Sequence, residues 1–411
     1  MHNRGIRPIQ PRRRRPNGAR LTLACLAVAL VTAGCDSGSD SGRVAKIGVV
    51  APLDAGLVQF GRGIRNAVQL AVTESNKRKA VPGWKFEVEA ADDSSNAATG
   101  EAAAQRLAAD PAVIGVVGTY NSGVAAKVAP VLDAAGIVMI SPGNTDPALT
   151  LGADLTQPVR PWANYFRMVA ADNVQGPFLA KYAFDDARAR RVAVVSETKP
   201  VSRGLADSFR TAYQARTGLV VFNQVVPDGT TDFAQLMRAI APLRPDLVFF
   251  GGEYEVGAQF SKQAGEAGIT VPIMGGDGLK DDAYIANAGP ASDGDLASTV
   301  GAPLASLASA KPFADAYAKG GFAEPPSDFG VYAYDAANVI IAASAKLLEG
   351  AEEVTPQIRS QISVSVQATD MAGASGRLAF DRFGDTQTRV LTLYRVANGA
   401  WTPAHTETVP A

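Results

Sequence analysis

Histidine and cysteine are nearly missing from this 411-residue chain, and their scarcity excludes several kinds of chemistry. The histidines are His2 and His405, and the cysteines are Cys25 and Cys35. A zinc site built from histidine and thiolate ligands is therefore excluded. A Ser-His-Asp triad would have to use His405, which stands in a polar C-terminal tail with little sign of a packed site. We expect a protein that is not an enzyme and that uses no metal and no cofactor.

Long hydrophobic runs are also missing, but a shorter one stands near the start of the chain. An arginine-rich leader ends at Arg20, and an apolar run follows from Leu21 to Leu30. Its length suits the hydrophobic region of a secretory signal peptide rather than a membrane-spanning helix. The next segment, VTAGC, resembles the cleavage site of bacterial lipoproteins, in which the cysteine (here Cys35) is lipidated. An ordinary secretory signal that contains a cysteine is the alternative.

The lipoprotein interpretation predicts a signal peptide over 1–34 and a flexible tether over 35–43, which is rich in Ser, Gly and Asp. It places the protein outside the cytoplasm, anchored to the outer face of the cell membrane through Cys35. Removal of the signal peptide leaves 32 of the 39 basic residues and all 40 acidic ones, a net charge of −8. This charge argues against a nucleic-acid partner, which would require a basic face.

Short apolar runs alternate with amphipathic stretches along the rest of the chain. An early strand-like run covers 46–50, and helical periodicity covers 61–76 and 99–110, the latter with Thr99 as its predicted cap. The same alternation restarts after residue 170. This pattern predicts an α/β fold with parallel sheets. About 375 residues beyond the leader favour two domains over one.

Two loops of the first half carry small polar residues where a strand ends and a helix begins. VVGTYNSG (116–123) enters a helix at its Asn or Ser, and ISPGNTDP (140–147) enters one at its Thr or Asp. Ligands of open α/β sheets bind beyond the carboxyl ends of strands, and free N–H groups at helix starts suit a carboxylate or phosphate. The alternative interpretation is simple N-capping by these polar side chains.

Two loops of the second half carry acids at the equivalent place. FFGGEYEVG (249–257) puts Glu253 just past a strand end, and IMGGDG (273–278) puts Asp277 past the next one. This spacing predicts two carboxylates near one wall of a cleft. The alternatives are two solvated loop acids and a catalytic pair as in glycosidases. No neighbouring sugar platform or set of metal ligands supports the catalytic pair.

Six segments, taken in order, resemble the leucine/isoleucine/valine-binding proteins of ABC importers. They are IGVVAPLDAGLVQFGRGIRNAVQLAV, VVGTYNSG, VMISPGNTDPALT, DNVQGPFLAKY, DLVFFGGEYEVGAQFSKQAGEAG and IMGGDG, and the resemblance runs from about residue 46 to 396. It implies the type 1 periplasmic binding protein fold, an α/β fold with two Rossmann-like lobes, parallel sheets and a three-strand hinge. The implied boundaries are 44–171 and 301–385 for lobe 1, with 172–300 and 386–411 for lobe 2.

The resemblance also assigns roles to residues around the ligand's α-carbon. Ser122 and Thr145 match the residues that hold the α-carboxylate, and Gly143 stands where backbone groups contact both α-substituents. Asp277 matches the acid that pairs with the α-ammonium. Asn121 occupies one position of a family disulfide that this chain cannot form.

Further positions concern the side-chain end of the implied pocket. Phe60 and Phe329 stand at aromatic positions, and Tyr120 stands where an apolar side chain is expected. The chain departs from well-known members because Phe60 lacks a tyrosine hydroxyl, and because Val201 and Glu253 replace two tyrosines. The implied cleft is less aromatic and more acidic than usual, so a polar ligand has to be considered.

The sequence therefore predicts a monomeric, lipid-anchored solute-binding protein that delivers an amino acid, of the branched-chain type, to the permease subunits of an ABC importer. We expect Asp277 and Glu253 to share the ligand's ammonium group. One alternative is a binder of urea, short amides or another polar molecule. A surface sensor that uses the fold to contact another protein, and a hydrolase that uses the two acids, are further alternatives.

Overall fold

The computed structural model describes residues 42–410, and these form fourteen strands and twelve α-helices. The strands are β1 (Arg43–Ala51), β2 (Trp84–Asp92), β3 (Val113–Gly118), β4 (Val138–Ser141), β5 (Tyr165–Arg167), β6 (Arg191–Glu197), β7 (Leu219–Val226), β8 (Leu247–Gly251), β9 (Ile273–Gly275), β10 (Leu296–Thr299), β11 (Asp370–Gly373), β12 (Gly376–Ala379), β13 (Val390–Ala397) and β14 (Ala400–Thr408). The helices are α1 (Val58–Lys77), α2 (Ala97–Ala109), α3 (Ser122–Ala134), α4 (Ala148–Leu151), α5 (Asp172–Lys181), α6 (Pro200–Ala215), α7 (Ala234–Ile240), α8 (Tyr254–Glu266), α9 (Asp282–Ala288), α10 (Lys311–Lys319), α11 (Gly330–Leu348) and α12 (Pro356–Gln367).

Lobe 1 is built on a parallel sheet with the strand order β2-β1-β3-β4-β5. Ile47 and Val49 of β1 belong to a core cluster that includes residues of α1 and α11, whereas Val50 belongs to a second cluster with residues of α2 and α3. Full burial of such a side chain contributes about 1.5–3 kcal/mol. Helices therefore cover both faces of the sheet, which explains why its inner strands β3 and β4 are buried at every position. Helices α4, α10 and α12 and the β11–β12 hairpin complete this lobe.

Lobe 2 is built on a seven-stranded sheet with the order β14-β13-β10-β9-β8-β6-β7. Strands β6 to β10 pair in parallel, and β13 and β14 add two antiparallel strands at one edge. Helices α5 to α9 belong to this lobe. The polar C-terminal tail, which the sequence analysis did not assign to a strand, is β14. Little of this edge strand is buried, so its sequence shows no apolar pattern.

The chain passes between the two lobes three times, after β5, after β10 and after β12. This arrangement confirms the predicted α/β class with two lobes. In both lobes the carboxyl ends of the parallel strands lead into the loops that the sequence singled out. The exact lobe boundaries remain a prediction.

Two predicted helix starts are wrong. Helix α4 begins at Ala148 with Pro147 at its N-cap position, rather than with Thr145 or Asp146 as its cap. Helix α2 begins at Ala97, and its cap is Asn96 rather than Thr99. The Asn96 side-chain oxygen accepts hydrogen bonds from the backbone N–H groups of Ala98 (2.9 Å) and Thr99 (3.1 Å). Asparagine is among the strongest capping residues because its short side chain reaches these N–H groups.

The predicted signal peptide (1–34), the lipidated Cys35 and most of the tether (35–43) lie outside the described residues. Within 42–410, no helix combines the length and the apolar character needed to cross a membrane.

Candidate functional site

A small cavity of about 40 Å³ lies between the two lobes, where loops from both sheets meet. From lobe 1, the loops after β3 and β4 contribute Tyr120, Asn121, Ser122, Gly143 and Thr145. From lobe 2, the first turn of α5, the start of α6 and the loops after β8 and β9 contribute Asp172, Val201, Ser202, Leu205, Glu253 and Asp277. The structure thus gathers seven of the nine predicted ligand-binding residues around one cavity.

The lobe 1 wall is neutral and rich in hydrogen-bonding groups. Ser122 is the first residue of α3, and its hydroxyl oxygen accepts from the backbone N–H groups of Thr145 (3.2 Å) and Asp146 (3.3 Å). No side chain caps the start of α3. The first N–H groups of an uncapped helix carry partial positive charge and need acceptors. This wall is suited to a carboxylate.

Position 143 requires a glycine because two aromatic rings lie close to its backbone. A Cβ atom at this position would lie 3.0 Å from the ring of Tyr120 and 3.2 Å from the ring of Phe329. These contacts are tight for a methyl group, so any larger residue would push the two rings away. The glycine therefore lets the aromatic rings pack directly against the loop that carries Thr145.

On the lobe 2 wall, Asp277 follows β9 and is only 8% exposed. Its Oδ1 accepts from the Gln175 side-chain amide (2.9 Å), and the Gln175 oxygen accepts from the Asp277 backbone N–H (3.0 Å) and from the Ser298 hydroxyl (2.6 Å). Burial raises the pKa of Asp277 to about 6. Asp277 is held by neutral groups, so its charge is available to a ligand cation.

Asp172 is a second buried acid in this wall, and the sequence analysis missed it. Its side chain is 1% exposed, and its Oδ2 has no hydrogen-bond partner among the described residues. Burial, reinforced by the charge of Asp277, raises the pKa of Asp172 well above its usual range. Asp172 starts α5 within the DNVQG segment, and no local pattern indicates that this helix start faces the cavity.

Glu253 lines the cavity, yet both of its carboxylate oxygens have protein partners. Oε1 accepts from the Asn121 side-chain amide at 2.9 Å, and Oε2 is bonded to the Lys199 ammonium. The Glu253 backbone N–H donates to Glu197 Oε2 (3.0 Å), and the Lys199 nitrogen lies 3.9 Å from Glu197 Oε1. These contacts neutralise Glu253 and join the two lobes. The shared ammonium role that we expected for Glu253 remains a prediction, but it would require one of these bonds to break.

Lys199 was also missed by the sequence analysis. Burial alone would lower its pKa, but the charges of Glu253 and Glu197 outweigh burial and raise the pKa instead. Lys199 immediately precedes α6 and stands outside the residues that line the cavity. None of the lining residues in the described part of the chain is a lysine, arginine or histidine.

The predicted aromatic residues form a packed group beside the cavity. Ring centroids of Phe60 lie 4.7 Å from Tyr120, 5.2 Å from Phe329 and 5.7 Å from Tyr254. Tyr120 lines the small cavity, whereas Phe60 and Phe329 line a separate cavity of about 500 Å³ on their other side. The structure therefore does not bring these two phenylalanines into the small cavity.

The larger cavity also lies between the lobes. Lys280 of lobe 2 pairs with Asp328 of lobe 1 at 3.0 Å, and its ammonium lies 4.9 Å from the ring centre of Tyr394. Lys280 and Asp328 thus satisfy each other, and Asp281 and Asp282 also line this cavity. Across the described residues, no group of three or more His, Cys, Asp or Glu side chains is arranged to hold a metal ion.

Comparison with known proteins agrees with this architecture. The family model described as periplasmic binding protein matches residues 44–400. A Leu/Ile/Val-binding protein, BraC3 of Rhizobium johnstonii, is 30% identical over 351 residues, which cover 85% of this chain and 90% of that protein. A leucine-, isoleucine-, valine-, threonine- and alanine-binding protein of Pseudomonas aeruginosa is 28% identical and covers 90% of this chain and 95% of its own length.

Among solved structures, the branched-chain amino acid transporter substrate-binding protein LivJ of Streptococcus pneumoniae, in complex with isoleucine, superposes with a TM-score of 0.78. It is 26% identical to this chain, and the match covers 90% of this chain and all of LivJ. The fold predicted from the sequence, two lobes of the type 1 periplasmic binding protein kind, is confirmed by this match.

Proposed function

Because this chain belongs to the periplasmic binding protein family, we propose that it captures an α-amino acid between its lobes and delivers it to the membrane subunits of an ABC importer. The observation that carries the proposal is the opposition of two kinds of wall across one cavity. Lobe 1 offers the uncapped start of α3 with Ser122 and Thr145, and lobe 2 offers Asp277 and Asp172. A zwitterion complements both walls at once.

The α-carboxylate would lie at the lobe 1 wall. There the N–H groups at the start of α3 and the hydroxyls of Ser122 and Thr145 supply hydrogen bonds, and the helix dipole favours negative charge. The α-ammonium would lie at Asp277 and Asp172. A cation beside these acids would favour their charged forms and offset the burial that raises their pKa values.

Closure of the lobes is part of this function. The Asn121–Glu253 hydrogen bond and the Lys280–Asp328 ion pair both span the cleft. A ligand that contacts both walls stabilises the closed arrangement by the difference between its affinities for the closed and open forms. In an importer, closure presents a defined surface to the permease only when the ligand is bound.

The relatives named above support branched-chain amino acids as the first ligands to test. The small cavity supports a second candidate, because a volume of about 40 Å³ holds roughly three water molecules. Urea, short amides or another small polar molecule would fit this space more readily than leucine.

Thermal unfolding of the purified protein with single amino acids, urea and acetamide distinguishes these candidates. A ligand at 100 times its dissociation constant stabilises the folded state by about 2.7 kcal/mol. We expect at least one α-amino acid to raise the midpoint clearly. Stabilisation by urea or acetamide alone would favour the second candidate, and a flat response to every amino acid would contradict the proposal.

We also propose that Cys35 anchors the protein to the outer face of the cell membrane. The support is the order of leader, apolar run and VTAGC in the sequence. Stable anchoring requires two or more acyl chains, each contributing about 0.8 kcal/mol per buried CH₂. Cys35→Ser should shift the protein from the detergent phase to the aqueous phase, or block its processing. A wild-type protein found wholly in the aqueous phase would contradict the anchor.

A further inference from the structure

We propose that the bound amino acid has a short side chain with a hydrogen-bond donor, a hydroxyl or a carboxamide, and that Asn121 recognises that donor. This inference rests on the proposed capture of an α-amino acid and specifies which class of amino acid is preferred. The preferred ligand would carry a polar side chain of similar or smaller size in place of the branched hydrocarbon side chain of leucine, isoleucine or valine.

The orientation of the Asn121 amide follows from its partner. The Asn121 Nδ2 donates to Glu253 Oε1 at 2.9 Å, and the other carboxylate oxygen of Glu253 accepts from the Lys199 ammonium. An ionised carboxylate can only accept hydrogen bonds. Turning the amide would place its oxygen against a carboxylate oxygen, so the NH₂ group has to face Glu253. The carbonyl oxygen of Asn121 is thereby left as the group without a partner.

That oxygen is buried and has no hydrogen-bond donor among the described residues. Asn121 stands at the N-cap position of α3, where an asparagine ordinarily bonds to its own helix, but here the side chain makes no capping bond. The neighbouring helix shows the ordinary case, because Asn96 caps α2 through two N–H groups. The Asn121 side chain is committed to the cleft instead.

The other unpartnered oxygen in the cavity wall is Oδ2 of Asp172. Among the described residues that line the cavity, both unpartnered side-chain atoms are therefore acceptors. The α-ammonium of the ligand would donate to Asp172 and Asp277. The Asn121 oxygen would then accept from a donor on the side chain of the ligand. A hydrocarbon side chain would leave this buried oxygen unsatisfied, which is unfavourable.

The size of the cavity supports a short side chain. A volume of about 40 Å³ corresponds to roughly three water molecules. Val201 and Leu205 close the cavity from α6, and Tyr120 closes it from lobe 1. A side chain as large as that of leucine or asparagine would require the lobes to separate further, so the cavity size favours the shortest side chains and does not by itself select a polar one.

Ligands of matched shape test the inference directly. Threonine carries a hydroxyl where valine carries a methyl group, and asparagine carries a carboxamide where leucine carries an isopropyl group. Calorimetry should show threonine binding at least about 10-fold more tightly than valine, and asparagine more tightly than leucine. Valine and leucine binding as tightly as their polar partners would overturn the inference and leave the proposed function intact. Binding of no amino acid at all would overturn the proposed function itself.

A variant series assigns the preference to Asn121. In Asn121→Leu the acceptor is lost, so the threonine-to-valine affinity ratio should fall to about one or reverse. Asn121→Ala gives the same comparison if the leucine variant does not fold. Asn96→Ala removes the cap of the neighbouring helix and is the matched control, in which the ratio should stay unchanged. An unchanged ratio in both Asn121 variants would overturn the role of this residue.

Glu253→Gln tests how Asn121 is oriented. A glutamine amide can donate to the Asn121 oxygen, which lets the Asn121 amide turn and present its NH₂ group to the ligand. Diaminopropionate, whose side-chain ammonium only donates, should then lose about 10-fold or more in affinity relative to threonine, which can also accept. Equal changes for the two ligands would show that Glu253 does not orient Asn121.

Discussion

The two Gly-Gly-acid segments of lobe 2 look alike in sequence, and the structure uses them differently. FFGGE (249–253) and IMGGD (273–277) each place an acid just beyond a buried strand. Glu253 is bonded to Lys199 and to Asn121 of the opposite lobe. Within residues 42–410, the Asp277 carboxylate has only the neutral Gln175 as a side-chain hydrogen-bond partner.

The difference shows that the electrostatic role of an acid depends on its partners and not on its place in a motif. A neutralised carboxylate such as Glu253 can join the lobes and orient a neighbour, because little charge remains for a ligand. A buried carboxylate held only by an amide, such as Asp277, retains a charge that a cationic group can pair with. The following experiments test this distinction.

The largest expected effect is the loss of the ligand cation's partner. Asp277→Ala should weaken binding of the best amino acid by about 2–5 kcal/mol, or roughly 30- to 4000-fold, because it leaves a buried ammonium with one acid fewer. Calorimetry measures this loss. Asp277→Asn keeps the size of the side chain and serves as the control for packing. A loss below about threefold in both variants would mean that Asp277 does not contact the ligand.

A pH series separates the two acids further. The pKa of Asp277 is raised to about 6 in the folded protein, above its ordinary value of 3.8, so the folded state binds the extra proton between those values. Its contribution to the stability of the ligand-free protein therefore falls as pH rises from about 4 to about 6. Ligand binding requires the charged form, so affinity should be about tenfold weaker at pH 5 than at pH 7.

Calorimetry at several pH values with the wild type and Asp277→Asn checks this expectation. The variant should lose most of the pH dependence. Asp172 and Glu253 face the same cavity, and a pH profile that is unchanged in Asp277→Asn would show that Asp277 is not the group responsible for the pH dependence.

The smallest expected effect concerns the ion pair of Glu253. Lys199→Met retains much of the side chain's apolar packing but removes the cation that serves Glu253 and Glu197. Loss of one partner of a fully buried pair costs several kcal/mol. The Lys199 side chain is about one-third exposed, and solvent screening reduces the cost to about 1 kcal/mol.

Chemical denaturation of the ligand-free protein measures this loss, with Lys280→Met as the matched variant for the other interlobe cavity. We expect a similar, small loss in both variants, because solvent reaches at least one partner of each ion pair. A loss of more than about 3 kcal/mol of folding free energy in Lys199→Met alone would show that solvent screens the Lys199–Glu253 ion pair less than the exposure of Lys199 suggests.

Much of the fold could be predicted because hydrophobic periodicity is a local signal. The buried faces of α1 and the continuously apolar strands β3 and β8 follow directly from the residue pattern. Strand β14 was missed because an exposed edge strand has few buried residues to reveal it. Thr99 was wrongly assigned as a cap because several polar residues precede α2, and backbone geometry selects among them.

The candidate site was predicted in part for the same reason. Ser122, Thr145, Glu253 and Asp277 stand at strand ends, where topology alone places ligand-binding groups. Asp172 stands in the first turn of α5, where local sequence gives no sign that its side chain meets Asp277.

The sequence by itself determined the two-lobe α/β class and the loops that meet between the lobes, because both depend on the alternation of apolar and polar residues along the chain. Only the tertiary structure decided which charges are neutralised. Asn121 and Glu253 are separated by 132 residues, Gln175 and Asp277 by 102, and Lys199 and Glu253 by 54. The first of these pairings depends on how the two lobes close, and the other two depend on how distant segments of lobe 2 pack together, so no local pattern records them.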